Sequence, residues 1–472
     1  LKRADGTPIS ARDFELAFKR LVDPRVRGEY NSLLDDVVGA TEARTSDPRA
    51  IQADIAKAID KVGVKATGDL TLTVSLKQPA GYWPAVAATW VGWPADSRAV
   101  EKDPQYWWTR AENHNGNGPF TIVQIDEGSG ISLSANANYW GGKPKLDRIE
   151  FYYLTDAGAA LQAYREGRID VTPLAAQDLI TATADATLNR ELLTGPVAWT
   201  TFLAMNAKRS PFDEKAVRVA FSQALDREGF ARQVLAGQGK AYLSFLPPGI
   251  PGYDPSAVQE GYDPKAAVQR LVDAGYGATR SSKSDPPKID CKVLGEVRLT
   301  FPDTARNRAR YQFLSNNLSQ VIGCPFPLDP VDPSTFAAMM RKPEIAPQLL
   351  LQPWVQDYPH PQDWLSAFAC GGLLSSGIGY CNQDFDKALA AANAEADGAK
   401  ALEKYKAAQK LMLPDYPGAM LYYSVSAYLV KPYVLNLRGS FGASDTAWPG
   451  QYGAPQTYDI DLALAGAGYP TR

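Results

Sequence analysis

Histidine is nearly missing. Only His114 and His360 occur in 472 residues, too few for a histidine-rich metal site and poor material for a histidine-based proton relay. No apolar run approaches the ~18 residues that a membrane-spanning helix requires. Neither sign of charge is in excess: 49 Lys+Arg against 52 Asp+Glu leaves −3. With no Lys/Arg-rich block either, the electrostatic footprint of a nucleic-acid or anionic-membrane binder is absent, and no nucleic-acid partner is expected. Catalytic signatures are also lacking. There is no GxSxG elbow, no HExxH pair, and no Gly-x-Gly-x-x-Gly opening a helix after a strand. The fragment Gly237-Gln-Gly-Lys-Ala241 has neither the spacing nor the Ser/Thr of a phosphate-binding loop. No cofactor or metal is expected. Carboxylates are abundant, so a two-carboxylate glycosidase stays open on residue type alone.

What is present describes a folded chain. Hydrophobic residues make up 45% and charged residues 21%, an ordinary balance for a globular protein and unlike a disordered one. At ~150 residues per domain the length suggests about three domains. The four cysteines stand at 291, 324, 370 and 381 without a CxxC pair. Cys370 and Cys381 bracket a Gly- and Ser-rich loop suited to closure by a disulfide, and Cys291–Cys324 is the remaining pair. The alternative is four buried free thiols, which are common in cores. Disulfides would put the chain outside the cytoplasm. The sequence begins at Leu1, not Met, so a leader is expected to have been lost.

Short strands alternate with capped helices. Ser10-Ala-Arg-Asp13 has the form of a capping box, followed by Phe14, Ala17, Phe18 and Leu21 at helical spacing. Leu70 to Leu76 alternates strictly, as do Ile131, Leu133 and Ala135, which predicts half-buried strands. Pro211-Phe-Asp213 predicts a helix entry with Asp213 as cap and Phe212 as staple, and Val217, Ala220, Phe221, Ala224 and Leu225 mark the helix. Asp263-Pro264 opens another that Gly275 ends. Arg280 to Pro287 reads as a surface loop, and Tyr139-Trp140-Gly-Gly as a turn whose aromatics pack onto a sheet. Gly116 and Gly118, around Asn117, predict backbone angles closed to other residues. No repeat of 20–50 residues is visible. The mixture predicts an α/β fold with mixed sheets.

One ordered set of segments is more specific than any of these pieces. Asn117-Gly-Pro-Phe-Thr-Ile122 is followed by Asn138-Tyr-Trp-Gly-Gly-Lys-Pro-Lys-Leu-Asp147 and Leu161-Gln-Ala-Tyr-Arg-Glu-Gly-Arg-Ile-Asp170. Then come Met205-Asn206, Pro211-Phe-Asp213, Val217-Arg-Val-Ala220 and Ala224-Leu-Asp-Arg227, with Leu246-Pro-Pro-Gly249, Tyr262-Asp-Pro-Lys265 and Ala274-Gly-Tyr276 beyond. Trp354-Val-Gln-Asp-Tyr-Pro359 and Tyr380-Cys-Asn382 complete the series. Over essentially its whole length the chain resembles the family 5 extracellular solute-binding proteins, the dipeptide- and oligopeptide-binding receptors of ABC importers.

The resemblance implies a two-lobed, periplasmic-binding-protein-like fold of the class with an extra domain II, joined by a two-strand hinge. Mapped onto this chain, 1–112 is partial domain II, 113–205 with 432–472 is domain I, and 206–431 is domain III. Asp5-Gly-Thr-Pro8 resembles a segment lying well inside such proteins, which implies that the opening part of the fold precedes Leu1. The implied ligand is a small peptide gripped between the lobes. The implied partner is the membrane permease of an ABC importer, and the protein itself is expected to be monomeric. The implied location is extracytoplasmic, as a cell-surface lipoprotein or in the periplasm.

In peptide-binding members of the family, the aspartate of the Trp-x-x-Asp segment accepts the ligand's α-amine, which here points to Asp357. Trp354 and Tyr358 are expected beside it, with Asn117 and Gly118 as further ligand contacts. Asp363, six positions beyond Asp357, reads as a solvated surface carboxylate. Two other readings stand behind the peptide receptor. One is the same fold binding an oligosaccharide or other small solute, for which 10 Trp and 23 Tyr offer stacking surfaces. The other is a carboxylate-dependent glycosidase.

Overall fold

Burial along three neighbouring strands explains the largest sheet. In the computed structural model, which describes residues 1–26, 28–279, 282, 284, 286–340, 342–437 and 455–466, contacts divide the chain into two units. One holds residues 1–172 with the described residues from 428 onward, and the other holds 173–427. The chain passes between them at 172/173 and again at 427/428.

In the first unit, β1 (Val64–Gly68) and β2 (Thr71–Val74) form an antiparallel hairpin. Leu72 and Val74 are half-buried while Thr71 and Thr73 face solvent, the expected alternation, but Leu70, expected on the apolar face, lies in the turn before the strand and is 86% exposed. Against the hairpin lies the helix Ala11–Leu21. The Asp13 carboxylate accepts from the Ser10 N–H at 2.7 Å, satisfying a donor that a helix start leaves orphaned. Arg3 donates to the other oxygen of Asp13, which ties the first residues of the chain to this helix. A separate antiparallel sheet orders β3 (Phe120–Asp126), β4 (Gly130–Ala135) and β5 (Arg148–Tyr152) side by side. Residues 428–437 return to this unit, where Tyr433 donates to Asp170 at 2.7 Å and the Lys431 ammonium lies 4.0 Å from the Tyr164 ring centre.

The second unit is built on a seven-stranded mixed sheet. Its members are β6 (Val171–Pro173), β7 (Leu192–Met205), β8 (Gly239–Ala241), β9 (Leu299–Pro302), β10 (Leu328–Val331), β11 (Leu349–Val355) and β12 (Gly418–Val430). Their order is β10-β9-β11-β7-β12-β6, with β8 pairing β12. β9 runs parallel to β10 and β11, while β7 and β11 are antiparallel. Both faces are covered, so the strands read as near-continuous apolar runs. Leu203, Met205 and Leu349 enter one core with the helices Lys215–Gln223, Pro264–Leu271 and Ala305–Ile322. Phe202, Ala204 and Leu350 point the opposite way, into a second core with the helices Pro361–Ser366, Gln383–Asn393 and Gly398–Met412. Bonds join Cys291 to Cys324 and Cys370 to Cys381, with Cα separations of 5.5 and 4.6 Å.

Several expectations give way. The helix after Pro211 begins at Lys215 with Glu214, not Asp213, at the cap position. Phe212, expected to staple this entry, buries fully and meets Phe221 edge-on at 4.8 Å. Trp140 does not pack onto a sheet: it is 69% exposed, its ring touching that of Tyr139. Gly116 and Gly118 do not adopt left-handed angles. A Cβ at Gly116 would meet nothing within 4 Å, and one at Gly118 nothing closer than 3.7 Å. That loop is held instead by the Asn136 amide, which donates to the Gly118 carbonyl at 2.8 Å. Of the expected surface loop 280–287, residues 280, 281, 283 and 285 lie outside the described residues, as do 438–454 and 467–472 of the segment 432–472.

Phe202 sits fully buried among Phe245 and Phe368, with ring centres 6.1 and 5.4 Å away. Phe202→Ala is expected to lower stability by ~3–5 kcal/mol through lost burial and a residual cavity. Urea unfolding checks this, and a loss below about 1 kcal/mol would mean that the site collapses to fill the gap.

Candidate binding site around Asp357

The candidate site grows from the end of β11. Antiparallel pairing sets Trp354 opposite Thr200 and Val355 opposite Trp199, and the Gln356 N–H continues the ladder to the Ala198 carbonyl at 3.0 Å. Pro353 is tolerated inside this strand because β9 pairs with β11 at Leu349, four residues earlier. Beyond Gln356 two prolines dictate the path. Pro359 and Pro361 disfavour helical angles at the residues before them, and His360 is extended at φ −145°, ψ 140°. Pro361 then occupies the first helical position, where its missing N–H costs nothing.

His360 is the N-cap residue of this helix. Its Nδ1 accepts from the Gln362 N–H at 3.2 Å, a role open only to an unprotonated ring nitrogen. Burial pushes the imidazole down to about 4, which favours that neutral form. The ring also packs edge-on against Tyr405, 5.3 Å between centres. Sequence reasoning passed over His360, although a residue that accepts hydrogen bonds directly before a proline at a helix start is a recognisable cap.

Asp363 overturns its reading as a solvated carboxylate. It is 3% exposed, at the third helical position, and its carboxylate reaches back to the strand end. One oxygen, Oδ2, accepts both from the Asp357 N–H at 3.2 Å and from the Trp354 indole N–H at 3.3 Å. Burial, and then the charge of Asp357, hold this carboxyl well above the usual carboxylate range. The Pro361-x-Asp363 spacing at a helix start was the available signal, since acidic side chains are favoured in a first helical turn. Its burial could not be read locally, because the covering helices Gln383–Asn393 and Gly398–Met412 lie downstream.

Of the expected ligand residues, the structure brings Trp354, Asp357 and Tyr358 into one turn. Asp357 is half-buried, and burial pushes its carboxyl up to about 6. Trp354 is half-buried against the second core. Tyr358 is a core residue, 3% exposed, with its hydroxyl donating to the Gln362 side chain. Asn117 and Gly118 belong to the other unit, where both are half-buried ahead of β3. A separate depression of about 360 Å³, lined by residues that include Tyr253, Asp254, Glu403 and Lys410, contains none of the expected residues. Among the described residues, no group of three or more His, Cys, Asp or Glu side chains is placed to hold a metal ion.

Residues 2–373 match the bacterial extracellular solute-binding proteins, family 5 (middle). The chain belongs to this family and has its periplasmic-binding-protein-like fold. It is 25% identical over 439 residues to the oligopeptide-binding protein OppA of Bacillus subtilis, covering 91% of this chain and 76% of that one. It is 28% identical over 432 residues to a dipeptide-binding protein of Lactococcus lactis subsp. cremoris, covering 87% and 74%. Among solved structures it is similar to the unliganded open form of the periplasmic murein tripeptide-binding protein MppA. The TM-score is 0.76 at 23% identity, over 97% of this chain and 84% of that one.

Titration of the turn carries an expected pH dependence. The unfolded chain protonates His360 near its ordinary 6.5, the folded chain only near 4. This contribution to stability is therefore complete above 6.5 and is lost as pH falls through about 4. Asp357 opposes it: its folded value of about 6 exceeds the ordinary 3.8, so its contribution is complete below 3.8 and lost as pH rises through about 6. His360→Asn keeps a capping acceptor and removes the titrating ring. Urea unfolding should show the variant losing less stability than wild type between about pH 7 and about pH 4.5. Equal losses would mean that the buried imidazole is not held neutral.

Proposed function

We propose that this protein is the extracytoplasmic receptor of an ABC importer and that it captures a di- or oligopeptide by its free α-amine at Asp357. The family is one of solute-binding proteins, so capture without turnover is its ordinary chemistry. Asp357 carries the proposal. Burial disfavours the ionised form of its carboxyl, and an arriving ammonium restores that form through a charge-assisted hydrogen bond worth ~1.5–3 kcal/mol. The neighbouring Trp354 offers an apolar edge to the ligand. Asn117 and Gly118 are proposed as contacts for the peptide backbone. Relatives named for binding dipeptides, oligopeptides and a murein tripeptide support a peptide over a sugar. The permease of an importer is the proposed partner of a monomeric receptor held at the cell surface by a lipid anchor or free in the periplasm.

Two measurements test this. Mass spectrometry of material that co-purifies with the protein should find peptides with free amino termini. By calorimetry, Asp357→Ala should weaken binding of those peptides by ~2–5 kcal/mol, because the ammonium is then buried without its partner. N-acetylation of the same peptides should weaken binding to wild type comparably. Unchanged affinity in both experiments would remove Asp357 from the site.

A further inference from the structure

Asn-Gly occurs twice in the chain, as Asn115-Gly116 and Asn117-Gly118, in the loop before β3. This dipeptide is chemically labile. The peptide nitrogen of a glycine can attack the carboxamide carbon of the asparagine before it, because no Cβ shields that nitrogen. Whether attack occurs in a folded protein depends on what holds the two groups, and these two dipeptides are held differently.

Asn115 is held at both ends of its amide. Its Nδ2 donates to an Asp96 carboxylate oxygen at 3.0 Å, and its Oδ1 accepts from the Asp5 N–H at 3.1 Å. Turning this carboxamide towards Gly116 breaks both bonds, one of them to a charged acceptor. For Asn117 the situation reverses. The bonds that fasten its neighbours use their main-chain carbonyls: Gly116 accepts from the Ala4 N–H at 2.9 Å and Gly118 from the Asn136 amide at 2.8 Å. Among the described residues, no hydrogen bond engages the Asn117 carboxamide or the Gly118 N–H. Both residues are only half-buried, so water and dissolved base reach them. The space around Gly118 is open as well, since the nearest contact for a Cβ placed there is at 3.7 Å.

We propose that Asn117-Gly118 is a site of spontaneous covalent modification, at which Asn117 becomes aspartate or isoaspartate while Asn115 is spared. Base removes the Gly118 N–H proton, and the nitrogen forms a bond to Asn117 Cγ. The bond from Cγ to Nδ2 breaks, and that nitrogen takes up a proton and leaves as ammonia, closing a five-membered imide. Water then opens the imide. Opening at Cγ gives aspartate, and opening at the main-chain carbonyl carbon gives isoaspartate, whose backbone runs through Cβ and Cγ. Nothing is oxidised or reduced, and water is the only co-reactant. Either product places a negative charge where an uncharged amide stood. The consequence for capture rests on the proposed function, in which Asn117 contacts the peptide backbone: a carboxylate cannot donate to a ligand carbonyl as the amide can.

Peptide mapping with fragment-ion mass spectrometry, after days in mildly alkaline buffer, reads the modification directly. In the native protein Asn117 should be converted about tenfold faster than Asn115 or more, because only Asn115 must first break two bonds. In urea the two should react at comparable rates, since the bonds to Asp96 and Asp5 are gone. Gly118→Ala, for which the loop has room, should slow conversion of Asn117 several-fold. Equal rates at the two asparagines in the native protein overturn the proposal. So does a native Asn117 that stays intact where the unfolded chain reacts, or an undiminished rate in Gly118→Ala. With a free-amine tripeptide pool as probe, calorimetry should show Asn117→Asp binding about tenfold more weakly than wild type. Equal affinity would remove Asn117 from the ligand contacts and leave the modification standing, and a pool that fails to bind wild type would overturn the peptide reading alone.

Discussion

A carboxylate with almost no access to water holds the end of a strand to the start of a helix. Asp363 does this through a single oxygen, and the geometry of the whole turn follows from it. The bond to the Asp357 N–H directs the chain after β11, and the bond to the Trp354 indole fixes the side chain at the end of that strand. The prolines on either side of His360 narrow the backbone, and His360 closes the helix start with its own ring nitrogen. The apolar core on that face of the sheet excludes water and so makes each of these polar contacts obligatory.

That core depends on the sheet. Because β7, β11 and β12 are covered on both faces, successive residues serve different cores, and a slip of one residue in register would exchange Phe202 with Leu203. Register thus places the last residues of β11 beside the helix Pro361–Ser366. Burying two carboxyls there costs stability, a cost that structures tend to retain where a binding site uses it. The opposed titrations of His360 and Asp357 reflect the same dry surroundings acting on groups whose charged forms differ in sign.

Local signals carried much of the fold. Ser10-x-x-Asp13 and Asp263-Pro264 marked helices that begin as expected, and the alternation read over Leu70 to Leu76 marked a strand that is shorter, Thr71–Val74, with Leu72 and Val74 half-buried and Leu70 left exposed in the turn before it. The ordered segments pointed to the family that the comparison then established. Readings that depended on distant parts of the chain fared worse. Asp363 looked exposed because the helices that cover it arrive twenty to fifty residues later. Trp140 looked like an anchor because aromatics usually are, yet it stands out from its turn. Gly116 and Gly118 were credited with backbone freedom that they do not use, the holding contact coming from Asn136 across the sheet.

Central to the account is a salt link between the ligand's positive end and residue 357. A crystal structure of the peptide-loaded protein measures it directly. The account predicts the ligand's amino nitrogen within about 2.7–3.2 Å of an Asp357 carboxylate oxygen, with the Asp363 bonds to Trp354 and to the Asp357 backbone intact. A loaded structure in which Asp357 is paired with a cation of the protein's own scaffold, and the ligand's amine lies elsewhere, would contradict it.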